Sequence, residues 1–358
     1  MRKIIAVLLS LMLVASMLTA CAQQNARSTG TGTDNKTSTG TESKTDTGAK
    51  KKYAVIVKNT GNPFNEKQIE GFKEAIEELG GEVIVNAPDQ PTAEAQIQMI
   101  EELIAQKVDA IAIAANDPDA LQPALQKAMN QGIKVLSFDS AVNAQSRLVH
   151  VNQADAERIG RVLIQAVYEM IGGEGDIAIL SATSQATNQN TWIAWMKEEL
   201  KDPKYSKINL VKIAYGDDLR DKSVSETEAL LKSFPNLKGI IAPTTVGIAA
   251  AGKVLTDKGL QGKVQLTGLG LPSEMAEYIK NGVCQWMYLW NPIDVGYLAG
   301  YAAHALVEGQ ITGKEGEKFN AGRLGEKEVI KADDGTEIRL GDPFKFDINN
   351  IDEWKDVY

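Results

Sequence analysis

Short apolar strands alternate with amphipathic helices in two successive series, and this alternation constrains the fold more than any other feature. In the first series we predict strands at 53–57, 82–85, 110–114 and 134–138, with helices at 93–106 and 120–130. Strands that are apolar throughout are typical of a sheet covered on both faces. Strands that alternate with helices form parallel β-α-β units, so the series predicts an α/β fold with a doubly wound parallel sheet.

A second series with the same arrangement begins at Asp176. Its strand centres follow those of the first by 123 to 130 residues, in the pairs Val57 and Leu180, Ile84 and Val211, Ile113 and Ile241, and Ser137 and Thr267. The chain length of 358 residues also favours more than one domain. We therefore predict two lobes of matching architecture.

The loops at the carboxyl ends of these strands are the places where such sheets bind ligands. They are residues 58–64, 116–119 and 139–143 in the first lobe and 184–190, 243–246 and 268–273 in the second. Taken together, the six loops are rich in Asn, Gln, Asp, Thr and Ser and carry few charges. Two lobes that face each other across such loops predict a hinged cleft for a small neutral polar molecule.

The first fifty residues have the pattern of a targeting signal and a tether. A basic start precedes the apolar run 4–20, and Cys21 follows it, which is typical of a secretory signal at residues 1–20. Residues 18–21, Leu-Thr-Ala-Cys, resemble the bacterial lipoprotein cleavage box, which implies lipidation of Cys21; the alternative is a signal anchor with an incidental cysteine. Residues 22–50 hold few apolar side chains, so we predict that 21–50 form a lipidated, disordered tether. The protein is then expected outside the cytoplasm, held to the bacterial cell membrane by lipid.

Composition and motifs argue against catalysis, cofactors and nucleic acid. The net charge of −9 argues against a nucleic-acid partner. The chain has only two histidines and two cysteines, which argues against a zinc site or a His-dependent hydrolase. Residues 268–270 form a GxG that lacks the third glycine of a dinucleotide motif. No segment assembles a nucleophile, a base and an orienting group. We predict binding without turnover, and neither a cofactor nor a metal.

Three loop motifs resemble those of the pentose- and hexose-binding periplasmic solute-binding proteins of ABC importers. They are Asn62-Pro63-Phe64, Asn116-Asp117-Pro118 and Phe138-Asp139-Ser140. Within that type I family, residues 187–192 (TNQNTW), 242–245 (APTT) and 289–290 (LW) are similar to the rhamnose-binding and autoinducer-2-binding branch. The resemblance covers residues 52–358. It implies a monomer that delivers its ligand to the subunits of an ABC permease.

The same resemblance implies that the chain crosses between the lobes three times, near His150, Trp290 and Phe319. The first lobe would consist of residues 51–150 and 291–318. The second would consist of residues 151–290 and 319–358.

Departures from the family's motifs narrow the expected ligand. Ser140 and Gly270 stand where ribose-type proteins carry an arginine and an aspartate, which argues against a ribose or galactose site. Of the residues that autoinducer-2 receptors use, four match, but Asn188 replaces an aspartate and Thr245 an alanine; the matches are Lys58, Asp139, Gln189 and Pro243. The resemblance thus implies a neutral monosaccharide, rhamnose or a related 6-deoxyhexose. The alternatives are an autoinducer-2 receptor and, further away, a lipid-tethered sugar-modifying enzyme.

The predicted ligand-binding residues lie in or beside the loops at the strand ends. Asp139 would accept sugar hydroxyls, although aspartate also suits a turn there. Lys58 follows a buried strand, where a charge needs a partner, so it would donate to a ligand oxygen or pair with Asp139. Asn188 would bind ligand or cap the next helix, and Phe64 and Trp290 would cover sugar C–H surface or a 6-methyl group. The full set is Lys58, Asn59, Phe64, Asn116, Asp139, Asn188, Gln189, Trp192, Pro243, Thr245, Gly270 and Trp290.

Overall fold

The computed structural model describes residues 49–358, and the predicted signal sequence, Cys21 and nearly all of the predicted tether lie outside this range. The strands are β1 (Lys52–Ile56), β2 (Glu82–Asn86), β3 (Ala110–Ile113), β4 (Lys134–Phe138), β5 (His150–Asn152), β6 (Gly175–Ser181), β7 (Ile208–Tyr215), β8 (Leu237–Ala242), β9 (Gln265–Gly268), β10 (Trp286–Leu289), β11 (Lys318–Asn320), β12 (Glu326–Lys331), β13 (Thr336–Arg339) and β14 (Phe344–Asp347). The helices are α1 (Pro63–Glu78), α2 (Ala93–Gln106), α3 (Pro118–Asn130), α4 (Ala156–Met170), α5 (Thr187–Glu199), α6 (Arg220–Ser233), α7 (Thr245–Asp257), α8 (Pro272–Lys280), α9 (Pro292–Val307) and α10 (Ile351–Trp354). In this part of the chain, no helix has the length and apolar character needed to cross a bilayer.

Two large sheets organise the described chain, and β10 with β14 forms a third, two-stranded sheet. One has eight strands in the order β11-β12-β13-β5-β4-β3-β1-β2, and the other has four in the order β7-β6-β8-β9. The strands from β2 to β13 along the first sheet pair in parallel, as do all four of the second. Residues 54–57 are fully buried, as expected for a strand with helices on both faces. The predicted α/β fold with two parallel sheets is confirmed.

The strand pairing corrects the predicted course of the chain after residue 318. Strand β13 pairs in parallel with β5, through Ile338 and Val151, and β12 and β11 extend this first sheet in antiparallel fashion. Of the strands after residue 318, only β14 lies outside the first sheet, and its Phe346 pairs with Met287 of β10. The assignment of residues 319–339 to the second lobe was therefore wrong. The first crossing also lies beyond residue 150, because β5 belongs to the first sheet up to Asn152.

Helices α1 and α9 cross at very close range, and this crossing fixes two loops of the cleft. A Cβ atom on Gly296 would lie 1.8 Å from the carbonyl oxygen of Gln68, and one on Gly71 would lie 1.8 Å from that of Ile293. Only glycine allows two helix backbones to approach so closely. Because α1 begins at Pro63 and α9 at Pro292, the crossing holds the residues just before each helix in place.

Candidate ligand-binding site

A cavity of about 360 Å³ lies where loops of the first and second sheets meet. Loops after β1 and β4 contribute from one side, and the start of α5 with the loops after β7, β8 and β9 from the other. The lining residues are Lys58, Asn62, Phe64, Asn65, Asp139, Asn188, Gln189, Trp192, Asp218, Pro243, Thr244, Thr245, Leu269, Leu289 and Trp290.

Nine of the twelve predicted ligand residues line this cavity, and three do not. The carbonyl and side-chain oxygens of Asn59 both accept hydrogen bonds from Asn65 Nδ2, each at 2.9 Å. Asn116 Nδ2 donates to the carbonyl oxygen of Lys58 at 2.9 Å. Gly270 packs against methionine side chains of the core. These three residues lie outside the lining and support the loops that carry the cavity.

Six lining residues were missed, for three reasons. Asp218 lies in the loop after β7, which ends at the same edge as β6 and β8 but was not among the loops predicted to bind ligand. Asn62 and Thr244 lie inside loops that were predicted to bind ligand, and Asn65 directly follows one of these loops. The remaining two, Leu269 and Leu289, are apolar and give no signal that separates them from core residues.

The polar side of the cavity is built around a relay of hydrogen bonds. Lys58 Nζ donates to Asn188 Oδ1 at 3.1 Å, and Asn188 Nδ2 donates to Asp139 Oδ1 at 3.3 Å. All three side chains are buried. Within residues 49–358, Asn188 therefore links the lysine to the carboxylate, in place of the direct pair that was one of the two predicted arrangements for Lys58.

A second carboxylate, Asp218, faces the same lysine and accepts a hydrogen bond from Thr244 Oγ1. Burial raises the pKa of Asp139 to about 6; the charge of Lys58 opposes this rise and that of Asp218 adds to it. Burial likewise raises the pKa of Asp218, against the charge of Lys58. Two buried carboxylates with one lysine form a site that is rich in acceptors and suits a ligand with several hydroxyl donors. In the part of the chain that the structure describes, no three His, Cys, Asp or Glu side chains are placed to hold a metal ion.

The backbone at both carboxylates is in the left-handed region. Asp139 has φ 57°, and Asp217 and Asp218 have φ 54° and 53°. Aspartate tolerates this conformation better than most residues, but at some energetic cost. Such strain concentrates at functional sites, where the fold enforces it to aim a side chain. Its presence beside both carboxylates supports a binding role for this cavity.

The lining of the cavity also includes aromatic and aliphatic side chains. Trp290 meets Phe64 edge to face with ring centroids 6.4 Å apart, and its ring centroid lies 5.7 Å from that of Trp192. Leu269 and Leu289 also line the cavity. Trp290 Nε1 is buried without a hydrogen-bond partner among the described residues, so it is free to donate to a ligand. The cavity thus combines polar and charged side chains with aromatic and aliphatic ones.

Comparisons with known proteins agree with this geometry. The family model of the periplasmic binding protein domain matches residues 53–311. An ABC transporter solute-binding protein from Clostridium phytofermentas, solved with bound L-rhamnose, is 54% identical, with a TM-score of 0.85 over 87% of this chain and 99% of that chain. LsrB from Clostridium saccharobutylicum, solved with AI-2, is 24% identical, with a TM-score of 0.80 over 85% and 99%. The D-xylose-binding periplasmic protein of Haemophilus influenzae is 27% identical over 80% of this chain and 83% of its own length.

Proposed function

Since the chain belongs to the periplasmic binding protein family, we propose that it is the sugar-binding component of an ABC importer and that its ligand is L-rhamnose or a related 6-deoxyhexose. The observation that carries the proposal is one cavity whose lining holds two buried carboxylates and a lysine together with aromatic and aliphatic side chains. The 54% identity to a protein solved with L-rhamnose supports this choice of sugar.

Binding would proceed by closure of the two lobes around the sugar. Hydroxyls would replace water at Asp139, Asp218 and Asn188, while the apolar face of the ring would pack on Trp290 and Phe64. A ligand that contacts both lobes favours the closed form, because only that form makes every contact. The closed form would be presented to the permease subunits, and lipid on Cys21 would keep the protein at the membrane surface. Binding without turnover is part of the proposal, and product formation from the bound sugar would contradict it.

Autoinducer-2 is the second candidate ligand. Lys58, Asp139, Gln189 and Pro243, which match residues of autoinducer-2 receptors, all line the cavity. Asn188 and Thr245 depart from that set, and both also line the cavity. These departures favour the sugar.

A thermal-shift screen against L-rhamnose, other monosaccharides and autoinducer-2 tests the proposal directly. L-Rhamnose at a hundred times its dissociation constant should stabilise the protein by about 2.7 kcal/mol, because only the folded state binds it. A clear rise in Tm with L-rhamnose is expected, and none with ribose or galactose. A rise in Tm with autoinducer-2 alone would indicate a signal receptor and contradict the proposed sugar importer. No rise in Tm with any compound would refute the proposal that the ligand is a monosaccharide.

Affinity for L-rhamnose should fall in acid, because Asp139 is the acceptor and its pKa in the free protein is about 6. Below that pH the carboxyl binds a proton, and the ligand must displace this proton to gain a charge-assisted hydrogen bond. The dissociation constant should thus rise by up to roughly tenfold per pH unit below pH 6 and change little above pH 7. Calorimetric titrations at pH 5, 6 and 7.5 measure this, with Asp139→Asn as the variant in which the dependence should be lost. A flat profile in the wild type would contradict the assignment of Asp139 as an ionised acceptor.

A further inference from the structure

We propose that the indole N–H of Trp290 donates a hydrogen bond to one oxygen atom of the bound sugar and makes that oxygen a requirement for tight binding. The inference rests on the proposed function and deepens it, because it assigns a directional contact to a side chain that would otherwise only pack against the sugar. Trp290 then selects among sugars by the position of an acceptor.

Trp290 differs from the rest of the cavity lining in its unused hydrogen-bonding capacity. Among the described side chains that line the cavity, it alone has a buried nitrogen or oxygen atom without a hydrogen-bond partner. Other polar side chains of the lining are engaged. Gln189 Oε1 accepts from Ala182 N at 3.3 Å. Thr245 Oγ1 donates to Asn62 Oδ1 at 3.4 Å.

The unpaired group is a donor that needs an acceptor. An indole N–H can only donate, and the side chain of Trp290 is 4% exposed. Burial of a donor without a partner is costly, and the N–H of a buried tryptophan usually has an acceptor. A sugar offers acceptors in its ring oxygen and in each hydroxyl. The bound sugar is therefore the group that satisfies this donor.

The backbone on both sides of Trp290 is held in place. Tyr288, two residues earlier, forms a β-bridge with Leu269, which directly follows β9 of the second sheet. Asn291, the next residue, caps α9, and its Oδ1 accepts a hydrogen bond from Ile293 N at 2.9 Å. These contacts fix the point from which the indole ring projects.

The ring itself is held by two aromatic neighbours on different helices. Phe64 belongs to α1 and Trp192 to α5, and both contact the ring of Trp290. Close packing of this kind gives the N–H a definite direction. The nitrogen lies at the edge of the indole ring, so it can donate while other ring atoms contact C–H surface of the sugar. Affinity then depends on whether the ligand places an oxygen at that point.

Calorimetry with L-rhamnose and with analogues that each lack one oxygen tests the proposal. The analogues are 1,5-anhydro-L-rhamnitol, the 2-, 3- and 4-deoxy derivatives of L-rhamnose, and 5a-carba-L-rhamnose, in which a methylene group replaces the ring oxygen. Trp290→Phe keeps an aromatic ring but has no donor, so it should weaken binding of L-rhamnose about tenfold. The one analogue without the partner oxygen should lose less than about twofold, because it makes no such bond in the wild type.

Phe64→Leu is the matched control, since Phe64 also lines the cavity and contacts Trp290 but has no polar side-chain atom. Its effect on affinity should be the same for L-rhamnose and for every analogue. An equal loss in Trp290→Phe for every sugar would overturn the inference, as would a loss below about twofold for L-rhamnose. Either result leaves the sugar-binding function standing, whereas no binding of any of these sugars by the wild type would refute that function. Should circular dichroism show that Trp290→Phe is unfolded, Trp290→Met, which also lacks a donor, replaces it in the same comparison.

Discussion

Replacement of Asp139 by alanine is expected to weaken binding of L-rhamnose by about 2–5 kcal/mol, or roughly 30- to 5,000-fold. The carboxylate is buried at the end of β4, and its hydrogen bond to Asn188 connects it to Lys58. Its removal deprives the sugar of a charged acceptor and leaves a buried lysine with less negative charge around it. Truncation of a buried charged group costs more than loss of a single neutral hydrogen bond, which is about 1 kcal/mol.

Asp139→Asn separates binding from folding. The pKa of Asp139 is raised from 3.8 to about 6 in the folded protein, so the folded state holds this proton more tightly than the unfolded chain. The contribution of the group to stability is therefore greatest at low pH and declines as the pH rises from about 3.8 to about 6. At pH 7.5 the asparagine variant lacks that penalty, and its Tm should equal or exceed that of the wild type while its affinity falls.

Calorimetry and thermal unfolding at pH 7.5 measure both quantities. The exposed Asp119→Asn serves as the matched control and should change neither affinity nor Tm by more than surface scatter. A change in affinity below about 0.5 kcal/mol for Asp139→Ala would remove Asp139 from the site. A lower Tm for Asp139→Asn would show that the ionised carboxylate stabilises the folded protein, in contradiction to the expected Tm.

Local sequence patterns predicted the regular elements well. The structure has β4 at 134–138 and α2 at 93–106, the bounds predicted for them. Helix α2 begins where Thr92 Oγ1 accepts a hydrogen bond from Ala95 N, and its buried residues recur at helical spacing. Such signals are contained within a few neighbouring residues, so they can be read from one sequence.

Features that depend on distant pairing could not be predicted in this way. Strands β11 and β12 are largely polar, and their place in the first sheet depends on the pairing of β13 with β5, almost two hundred residues earlier. Asn116 occupies a loop of the predicted kind, but its side chain donates to the backbone of Lys58 and lies outside the cavity lining. Which polar residue supports a loop and which lines the cavity is decided by tertiary packing, as is the inclusion of Leu269 and Leu289.

Replacement of Gly296 by alanine should be among the most destabilising changes outside the cavity, with a loss of about 3 kcal/mol in the free energy of unfolding. Alanine improves the helix propensity of α9 by up to about 1 kcal/mol, so propensity alone would predict a gain. The added methyl would lie 1.8 Å from the carbonyl oxygen of Gln68, a backbone atom that cannot rotate away. The two helices would have to separate, and the poorer packing of the side chains between them would add to the cost.

Urea unfolding measures this effect as a lower midpoint at an unchanged m-value. Gly341→Ala is the control, because a Cβ there meets no atom within 4 Å and its φ is not positive, so its midpoint should stay close to the wild-type value. Because α1 and α9 begin directly beside Phe64 and Trp290, their separation should also reduce the affinity for L-rhamnose. An unchanged midpoint in Gly296→Ala would mean that the crossing is looser than this geometry, and the position of these two aromatic side chains would then need another cause.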